Sequence, residues 1–159
     1  MTAPAGALPL FRQAVKDEWI DYNGHLSEAY YVLVFGYATD ALMAETGLGP
    51  EYREASGCSL YTVEAHVRYL REVDRGAGLI VRTTVLGADA KKVRFLHEMY
   101  VDAGTGEPAG DPVATEELFA LHVDRATGRS APLPGPVRDR LTALTAPAPD
   151  WAGRGIREV

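Results

Sequence analysis

A stretch of ten residues, DEWIDYNGHL, places ionisable and turn-forming side chains directly before the longest apolar run of the chain. Asp21 supplies a carboxylate and His25 an imidazole, while Asn23 and Gly24 between them are typical turn residues. The run that follows, residues 27–47, is the most hydrophobic helix candidate in the sequence. This order predicts a chemically active site at the mouth of the hydrophobic core.

The same residues also have a purely structural interpretation. An aspartate shortly before a glycine commonly accepts backbone N–H groups and so stabilises a turn or caps a helix. On residue types alone, Asp21 fits that role as well as a catalytic one. His25 fits substrate binding, orientation of Asp21 or structural support, and Asn23 fits a turn residue or a group that positions water.

The element behind these residues is predicted to be one long helix. Residues 28–46 are apolar on nearly every side over most of their length, and a helix of this kind is buried or spans a membrane. The length suits a membrane span, but Gly36, three tyrosines and the flanking acids argue against hydrocarbon. We therefore expect a buried central helix roughly 28 Å long, capped by Ser27 and ended by Gly47 in the left-handed conformation.

The other elements are predicted to be strands. Residues 11–20 suit a first strand, and from Ser59 onward apolar and polar residues alternate with period two. The remaining predicted strands are residues 59–69, 79–86, 93–101 and 113–124, with a short helix at 137–144. Short turns between consecutive strands indicate an antiparallel sheet. A helix buried on all sides then needs a sheet that curls around it or a second sheet from another subunit, which predicts an α+β fold and self-association.

Length and composition limit the class of protein. A chain of 159 residues, 47% hydrophobic and 24% charged, suits one soluble domain. We expect a single domain over residues 1–146 and a loosely ordered tail over residues 147–159, anchored by Trp151. The net charge of −6 disfavours nucleic acid as a partner. The start of the chain has no signal-peptide pattern, and we expect no membrane partner and a cytoplasmic location.

Further candidate residues lie on the predicted strands. Glu64 and His66 stand two residues apart and suit a carboxylate–imidazole pair in the site, the wet face of a strand or a contact between subunits. His97 and His122 are isolated, and we find no spacing that predicts a metal site. Cys58 is the single cysteine, so an internal disulfide is excluded.

Residues 21–30, DYNGHLSEAY, carry a family resemblance. They resemble the Asp-x-x-Gly-His-hydrophobic-Asn/Ser-x-x-Tyr motif of hotdog-fold acyl-CoA thioesterases of the 4-hydroxybenzoyl-CoA thioesterase type. Residues 63–71, VEAHVRYLR, resemble the strand that follows the helix in that family. The resemblance spans residues 11–132 and implies a hotdog fold, in which a curved antiparallel sheet of about five strands wraps a long central helix.

The resemblance also implies a mechanism. Asp21 aligns with the family's nucleophile or general base, and backbone N–H groups around Ser27 and Glu28 would stabilise the oxyanion at the helix N-terminus. Gly24 would let the substrate approach the backbone closely. Some relatives place an acid on the helix, which makes Glu28 and Asp40 minor candidates. No cofactor is implied apart from coenzyme A as part of the substrate.

The substrate implied by the resemblance is an acyl-CoA. Residues 19–25 and the tyrosine pair at 30–31 look closest to thioesterases of carnitine breakdown, which cleave betainyl-CoA. A trimethylammonium group binds to aromatic faces, and the candidate substrate-binding residues are Trp19, Tyr22, Tyr30, Tyr31, Tyr61, Glu64 and His66.

Coenzyme A phosphates need basic partners, for which Lys91, Lys92 and Arg94 are candidates and Arg68 and Arg71 alternatives. Family members usually form homodimers or homotetramers, and a noncatalytic acyl-CoA-binding module is the alternative function.

Overall fold

A computed structural model describes residues 7–159, so the first six residues of the expected domain lie outside the described part. Along the chain the strands are β1 (Phe11–Ala14), β2 (Cys58–Tyr69), β3 (Gly78–Ala88), β4 (Lys92–Val101), β5 (Ala114–Asp124) and β6 (Arg129–Ser130). The helices are α1 (Glu28–Thr46), α2 (Pro50–Ser56) and α3 (Gly135–Ala143).

One antiparallel sheet carries the fold. Its order is β1-β3-β4-β5-β2, and the two-residue β6 pairs with β5. The sheet curls against α1 as a half-barrel, which is the arrangement expected of the hotdog fold and confirms the predicted fold class. Strand β2 forms one edge of the sheet, so one of its two sides lacks a strand partner among the described residues.

Helix α1 occupies nearly the predicted residues and ends as predicted, because Gly47 adopts the left-handed conformation with φ 92°. The predicted cap at its start is wrong in one respect. Ser27 is the N-cap residue by backbone conformation, but within the described chain its side chain makes no capping hydrogen bond. The first N–H groups of the helix are therefore not satisfied by Ser27 Oγ.

The expectation that α1 is buried on all sides is wrong for a single chain. One face packs on the sheet through residues such as Val34, Phe35 and Ala38, which are almost fully enclosed. The opposite face is exposed, with Val32, Leu33 and Tyr37 41%, 37% and 38% accessible. An apolar helix face of this kind indicates a partner surface rather than a solvent-facing one.

The predicted first strand is too long. Only Phe11–Ala14 pairs in the sheet, and Asp17–Trp19 form a 3₁₀ turn instead. The turn places Trp19 inward, where it is 3% exposed and stacks on Tyr30 of the first turn of α1. The chain direction therefore changes before Asp21, and this change brings Asp21 close to the start of α1.

Strand β2 contains an irregularity that sequence alternation did not predict. A register shift between Thr62 and Glu64 reverses which side chains of the strand point to each face of the sheet. Directly paired residues face the same side of a sheet, and Tyr61 pairs with Leu121 whereas Val67 pairs with Glu116. Strict alternation along residues 59–69 would place Tyr61 and Val67 on one face. The register shift instead places Tyr61 on the face away from α1.

The tail crosses the face of the sheet away from α1. The guanidinium of Arg68 lies 4.3 Å from the centre of the Trp151 ring, in agreement with Trp151 as an anchor. Gly153 adds a second contact, because its backbone N–H donates to Glu117 Oε1 at 2.6 Å. Residues 151–153 thus have defined positions on β2 and β5.

Candidate active site

Asp21 closes a tight turn in front of α1. Its Oδ1 accepts the backbone N–H groups of Asn23 and His25, at 2.9 and 3.3 Å, and its own N–H donates to the His25 carbonyl at 2.9 Å. Gly24 completes the turn with φ 81°, a left-handed conformation that glycine adopts most easily. Asp21 therefore stabilises the turn through Oδ1. The second oxygen, Oδ2, has no hydrogen-bond donor among residues 7–159.

The start of α1 offers two backbone donors. Ser27 does not supply one, since its N–H donates to the Trp19 carbonyl at 2.9 Å, and this corrects the predicted oxyanion pair of Ser27 and Glu28. Glu28 and Ala29 begin the helix, and their N–H groups have no acceptor within the described chain. These are the orphan donors of a helix N-terminus, and with the helix dipole they favour a developing negative charge.

Asp21 and Glu28 line one open groove with a volume of about 590 Å³. Its far wall is the end of β2 and the following loop, from Tyr69 to Glu72, and its inner end is Tyr31. The two tyrosine rings meet edge to face, with centroids 5.3 Å apart. Tyr31 donates its hydroxyl to the Arg71 carbonyl at 3.2 Å, which ties α1 to this wall. A carboxylate, the first residue of α1 and an aromatic corner thus share one groove.

His25 also lines the groove, but its ring contacts other acids. Its two ring nitrogens lie 3.5 Å from carboxylate oxygens of Glu72 and Asp74. It contacts Asp21 through the backbone alone, in the hydrogen bonds given above. The side chain therefore fastens the turn to the loop after β2, and it orients Asp21 only through its backbone N–H.

The predicted aromatic residues do not form one cage. Trp19 and Tyr30 stack at 5.4 Å behind the helix start, and Trp19 belongs to the core. Tyr22 is 97% exposed on the turn, and Tyr61 lies on the other face of the sheet. The aromatic pair of the groove is instead Tyr31, which the sequence suggested, and Tyr69, which the sequence analysis did not select as a site residue.

Glu64 and His66 are not part of the Asp21 groove. They line a cavity of about 430 Å³ on the face of the sheet away from α1, together with Arg94, Glu117 and tail residues 153–155. Arg94 is held there by Glu117, with Nη2 2.6 Å from Oε2. His66 Nδ1 is enclosed without a hydrogen-bond partner in the described structure. The carboxylate–imidazole pair predicted from the strand pattern therefore lies apart from Asp21.

The three residues predicted to bind the coenzyme A phosphates lie in two different places. Lys91 and Lys92 lie at the β3–β4 turn, where Asp89 Oδ1 accepts both of their backbone N–H groups at 2.9 Å. These hydrogen bonds lower the pKa of the Asp89 carboxyl. Arg94 points into the cavity behind the sheet. The turn thus presents two lysines, while Arg94 is engaged by Glu117.

Sequence reasoning missed Glu116, an acid on the inner side of β5. It is 4% exposed, and burial raises its pKa to about 7. The signal was present in the sequence, because Glu116 and Glu117 are adjacent in a strand of otherwise apolar character. Neighbours in a strand point to opposite faces, so one of the two acids had to face the helix.

Within residues 7–159, no group of three or more His, Cys, Asp or Glu side chains is arranged to hold a metal ion. Over the same residues, none of the helices is both long enough and apolar enough to cross a membrane.

A family model, curated relatives and solved structures resemble this chain. The Thioesterase-like superfamily matches residues 15–141. A betainyl-CoA thioesterase of Pseudomonas aeruginosa is 44% identical over 154 residues, which are 94% of each chain. An L-carnitine dehydrogenase/betainyl-CoA thioesterase of Agrobacterium fabrum is also 44% identical, and the match covers 96% of this chain but 31% of that longer protein.

A solved structure supports the fold independently. A Staphylococcus aureus protein, determined in complex with CoA, superposes with a TM-score of 0.82 at 23% identity and covers 94% of both chains. At this identity the likeness concerns the fold alone.

Proposed function

The chain belongs to the thioesterase-like superfamily, and from that premise we propose that it hydrolyses betainyl-CoA to the free acid and coenzyme A, with Asp21 as the reacting carboxylate. The similarity to a betainyl-CoA thioesterase over 94% of both chains supports this choice of acyl group. The observation that carries the proposal is the shared groove, which is lined both by Asp21 and by Glu28, the first residue of α1, whose N–H has no acceptor in the described chain.

The helix start stabilises the oxyanion. When the thioester carbonyl is attacked, negative charge collects on its oxygen, and preorganised donors stabilise that charge most effectively. Glu28 and Ala29 N–H supply the hydrogen bonds, and the dipole of α1 adds a favourable field. The bond between Ser27 N–H and the Trp19 carbonyl fixes the direction from which the chain enters the helix.

Asp21 acts through Oδ2, either as the nucleophile or as the general base. As a nucleophile it forms an acyl anhydride and releases the coenzyme A thiolate, and water then hydrolyses the anhydride. As a general base it takes a proton from water, whose oxygen attacks the carbonyl carbon directly. In both routes Oδ1 remains bound to Asn23 and His25 N–H. Mass spectrometry of rapidly quenched enzyme distinguishes the routes, since only the first adds the acyl mass to Asp21.

The active unit is proposed to be a homodimer. Strand β2 is a sheet edge next to the groove, and an unpaired edge is a surface for strand addition. Pairing of β2 with its copy would join two sheets and place the second chain beside Tyr69 and the exposed face of α1.

Release of free thiol from a panel of acyl-CoAs tests the proposal. The panel contains betainyl-CoA, short aliphatic acyl-CoAs and aromatic acyl-CoAs, and the expected result is the highest kcat/KM with betainyl-CoA. Release of thiol only from another class of acyl-CoA would show that the proposed acyl group is wrong. Tight binding without thiol release from any member would favour the noncatalytic acyl-CoA-binding module instead.

A further inference from the structure

Two adjacent acids of β5 have different surroundings. Glu117 faces away from α1, where it pairs with Arg94 and accepts the Gly153 N–H. Glu116 faces α1, because its direct partners in the sheet are Val67 on β2 and His97 on β4. Val67 packs on the apolar cluster beneath α1, and the His97 ring stacks on Phe35 of that helix.

Glu116 is buried without a partner. Among residues 7–159 its side chain makes no hydrogen bond and no ion pair, although more than nine-tenths of the residue is enclosed. The imidazole beside it cannot help, since His97 Nε2 and Nδ1 are engaged by the hydroxyls of Thr39 and Thr83, each at 2.8 Å. Burial also lowers the pKa of His97 to about 3, so its ring is neutral at physiological pH. A buried carboxyl group without a partner is unfavourable unless a ligand or another chain completes it.

Tyr69, a residue of the groove, lies on the same face of the sheet as Glu116. Tyr69 lies two residues beyond Val67 on the same face of β2, and its hydroxyl is 3.4 Å from the Glu28 carbonyl oxygen. The pKa of Tyr69 is raised, chiefly by burial and then by the charges of Glu28 and Glu116. Tyr69 therefore contacts the helix start through its hydroxyl and Tyr31 through its ring, and it shares a face of the sheet with Glu116.

The side-chain oxygens of Glu116 are not completely sealed. His66 Nδ1 is the one fully sealed side-chain nitrogen or oxygen without a partner in the described chain, so the oxygens of Glu116 keep some accessible surface. Ala65, whose partner Leu118 lies on the same face of β5 as Glu116, is exposed.

A carboxylate on the same sheet face as Tyr69, whose ring meets that of Tyr31, suits one kind of ligand. A quaternary ammonium group has no N–H to donate and is bound by charge and by aromatic faces. We infer that Glu116, with the rings of Tyr69 and Tyr31, recognises the trimethylammonium end of a cationic acyl group. This inference rests on the proposed function, and it names the residue that would select a cationic acyl-CoA over a neutral one of the same shape.

The test compares two acyl groups that differ only in charge. Betainyl-CoA carries a trimethylammonium group, and 3,3-dimethylbutyryl-CoA carries a tert-butyl group of nearly the same size. Affinities are measured by calorimetry with non-hydrolysable thioether analogues of both, and hydrolysis is measured separately by thiol release. The variants are Glu116→Gln, Glu116→Asp and, as a matched control on the outer face of β4, Glu98→Gln.

The expected result is a loss of charge selectivity in one variant. Glu116→Gln should lower the affinity for the cationic analogue about 10- to 100-fold and leave the neutral analogue unchanged. Glu116→Asp should retain part of the selectivity, and Glu98→Gln all of it. Equal losses for both analogues, or no loss for either, would overturn the inference.

Other outcomes separate this inference from the proposed function. Hydrolysis of both thioesters without charge selectivity in the unmodified protein overturns the inference alone. Charge-selective binding of the analogues without any thiol release overturns the proposed hydrolysis alone. Dissociation of the oligomer in Glu116→Gln, measured by sedimentation, would overturn the inference by assigning Glu116 to a subunit contact.

Discussion

The backbone N–H of Ser27 donates to the carbonyl of Trp19 at 2.9 Å, eight residues before it. This bond removes Ser27 from the set of free donors at the start of α1 and leaves Glu28 and Ala29 in that position. It also ties the 3₁₀ turn to the helix, so the loop that carries Asp21 is closed at its base. The geometry of the site therefore depends on a short loop of fixed shape.

Gly24→Ala should weaken that loop through backbone strain alone. A Cβ at Gly24 would meet nothing within 4 Å, but φ there is +81°. A left-handed alanine costs roughly 1 to 2 kcal/mol, and relaxation would move Asp21 relative to the helix start. We expect a stability loss of about that size and a lower kcat. Urea unfolding and thiol release measure the two effects.

Gly135→Ala is the matched control for that substitution. Gly135 also has open space around its Cβ position but no positive φ. Its replacement should leave kcat unchanged and stability unchanged or slightly higher. Equal effects of the two substitutions would contradict a specific role of the Gly24 conformation.

Glu116→Gln should stabilise the protein above neutral pH. Burial raises the folded-state pKa to about 7 from an ordinary value of 4.5, so the folded state binds more protons between these pH values. Stability attributable to Glu116 is then lost as pH rises from 4.5 through 7. The variant should exceed the unmodified protein by roughly 3 kcal/mol at pH 8 and by nothing at pH 4, at about 1.4 kcal/mol per pKa unit.

Chemical unfolding across this pH range measures the difference between the two proteins. His97 contributes a slope of opposite sign below pH 6.5, because its folded-state pKa is lowered to about 3. The comparison must therefore be between proteins that both retain His97. A difference that stays constant with pH would show that the Glu116 carboxyl is not buried as described.

Lys91 and Lys92 should affect binding of the coenzyme A phosphates without affecting the acyl site. Replacement of both by alanine should raise KM for an acyl-CoA about 3- to 10-fold, as expected for exposed charge contacts. KM for the matching acyl-pantetheine, which lacks the nucleotide, should not change. An equal rise in KM for both substrates would contradict a role of the two lysines in binding the coenzyme A phosphates.

Arg94→Ala should act differently from the lysine substitutions. Arg94 is the ion-pair partner of Glu117, whose side chain is 11% exposed. Its loss leaves that carboxylate poorly compensated, and we expect destabilisation of about 1 to 3 kcal/mol. Unchanged stability would mean that Arg94 is free to bind phosphate, as the sequence first suggested.

Val63→Lys should dissociate the proposed dimer. Val63 is 57% exposed at the β2 edge, so the charge costs little within one chain but would be buried between two paired edges. Val101→Lys is the control, because Val101 is exposed at the end of β4, an interior strand. Sedimentation should show monomers for the first variant alone. An unmodified protein that is already monomeric would contradict the dimer.

The sequence predicted most of the scaffold because periodicity reports burial directly. Helix α1 and four of the strands appear within a few residues of their predicted positions. The part of the predicted first strand after Ala14 was wrong, since a 3₁₀ turn turns Trp19 into the core without any change in residue type. The register shift near Glu64 was also invisible, and it reversed the face assigned to Tyr61.

The candidate site was predictable only in part. Turn chemistry located Asp21, Gly24 and the start of α1, because these depend on neighbouring residues. Tyr69 lines the groove, and Glu116 shares its face of the sheet, through pairing of β2 with β5 that no local pattern encodes. The same limit explains why the strand pattern could not decide whether Glu64 and His66 lie near Asp21, and the structure places them in a different cavity.

The most direct test of the account is the rate of thiol release from betainyl-CoA by the unmodified protein, Asp21→Asn and Asp17→Asn. Asp17 is a matched control, an exposed aspartate on the same segment that pairs with Arg75 at 3.1 Å. The account predicts that Asp21→Asn lowers kcat about 100-fold or more with little change in the affinity for substrate, while Asp17→Asn stays within about twofold. Equal rates for Asp21→Asn and the unmodified protein would contradict it.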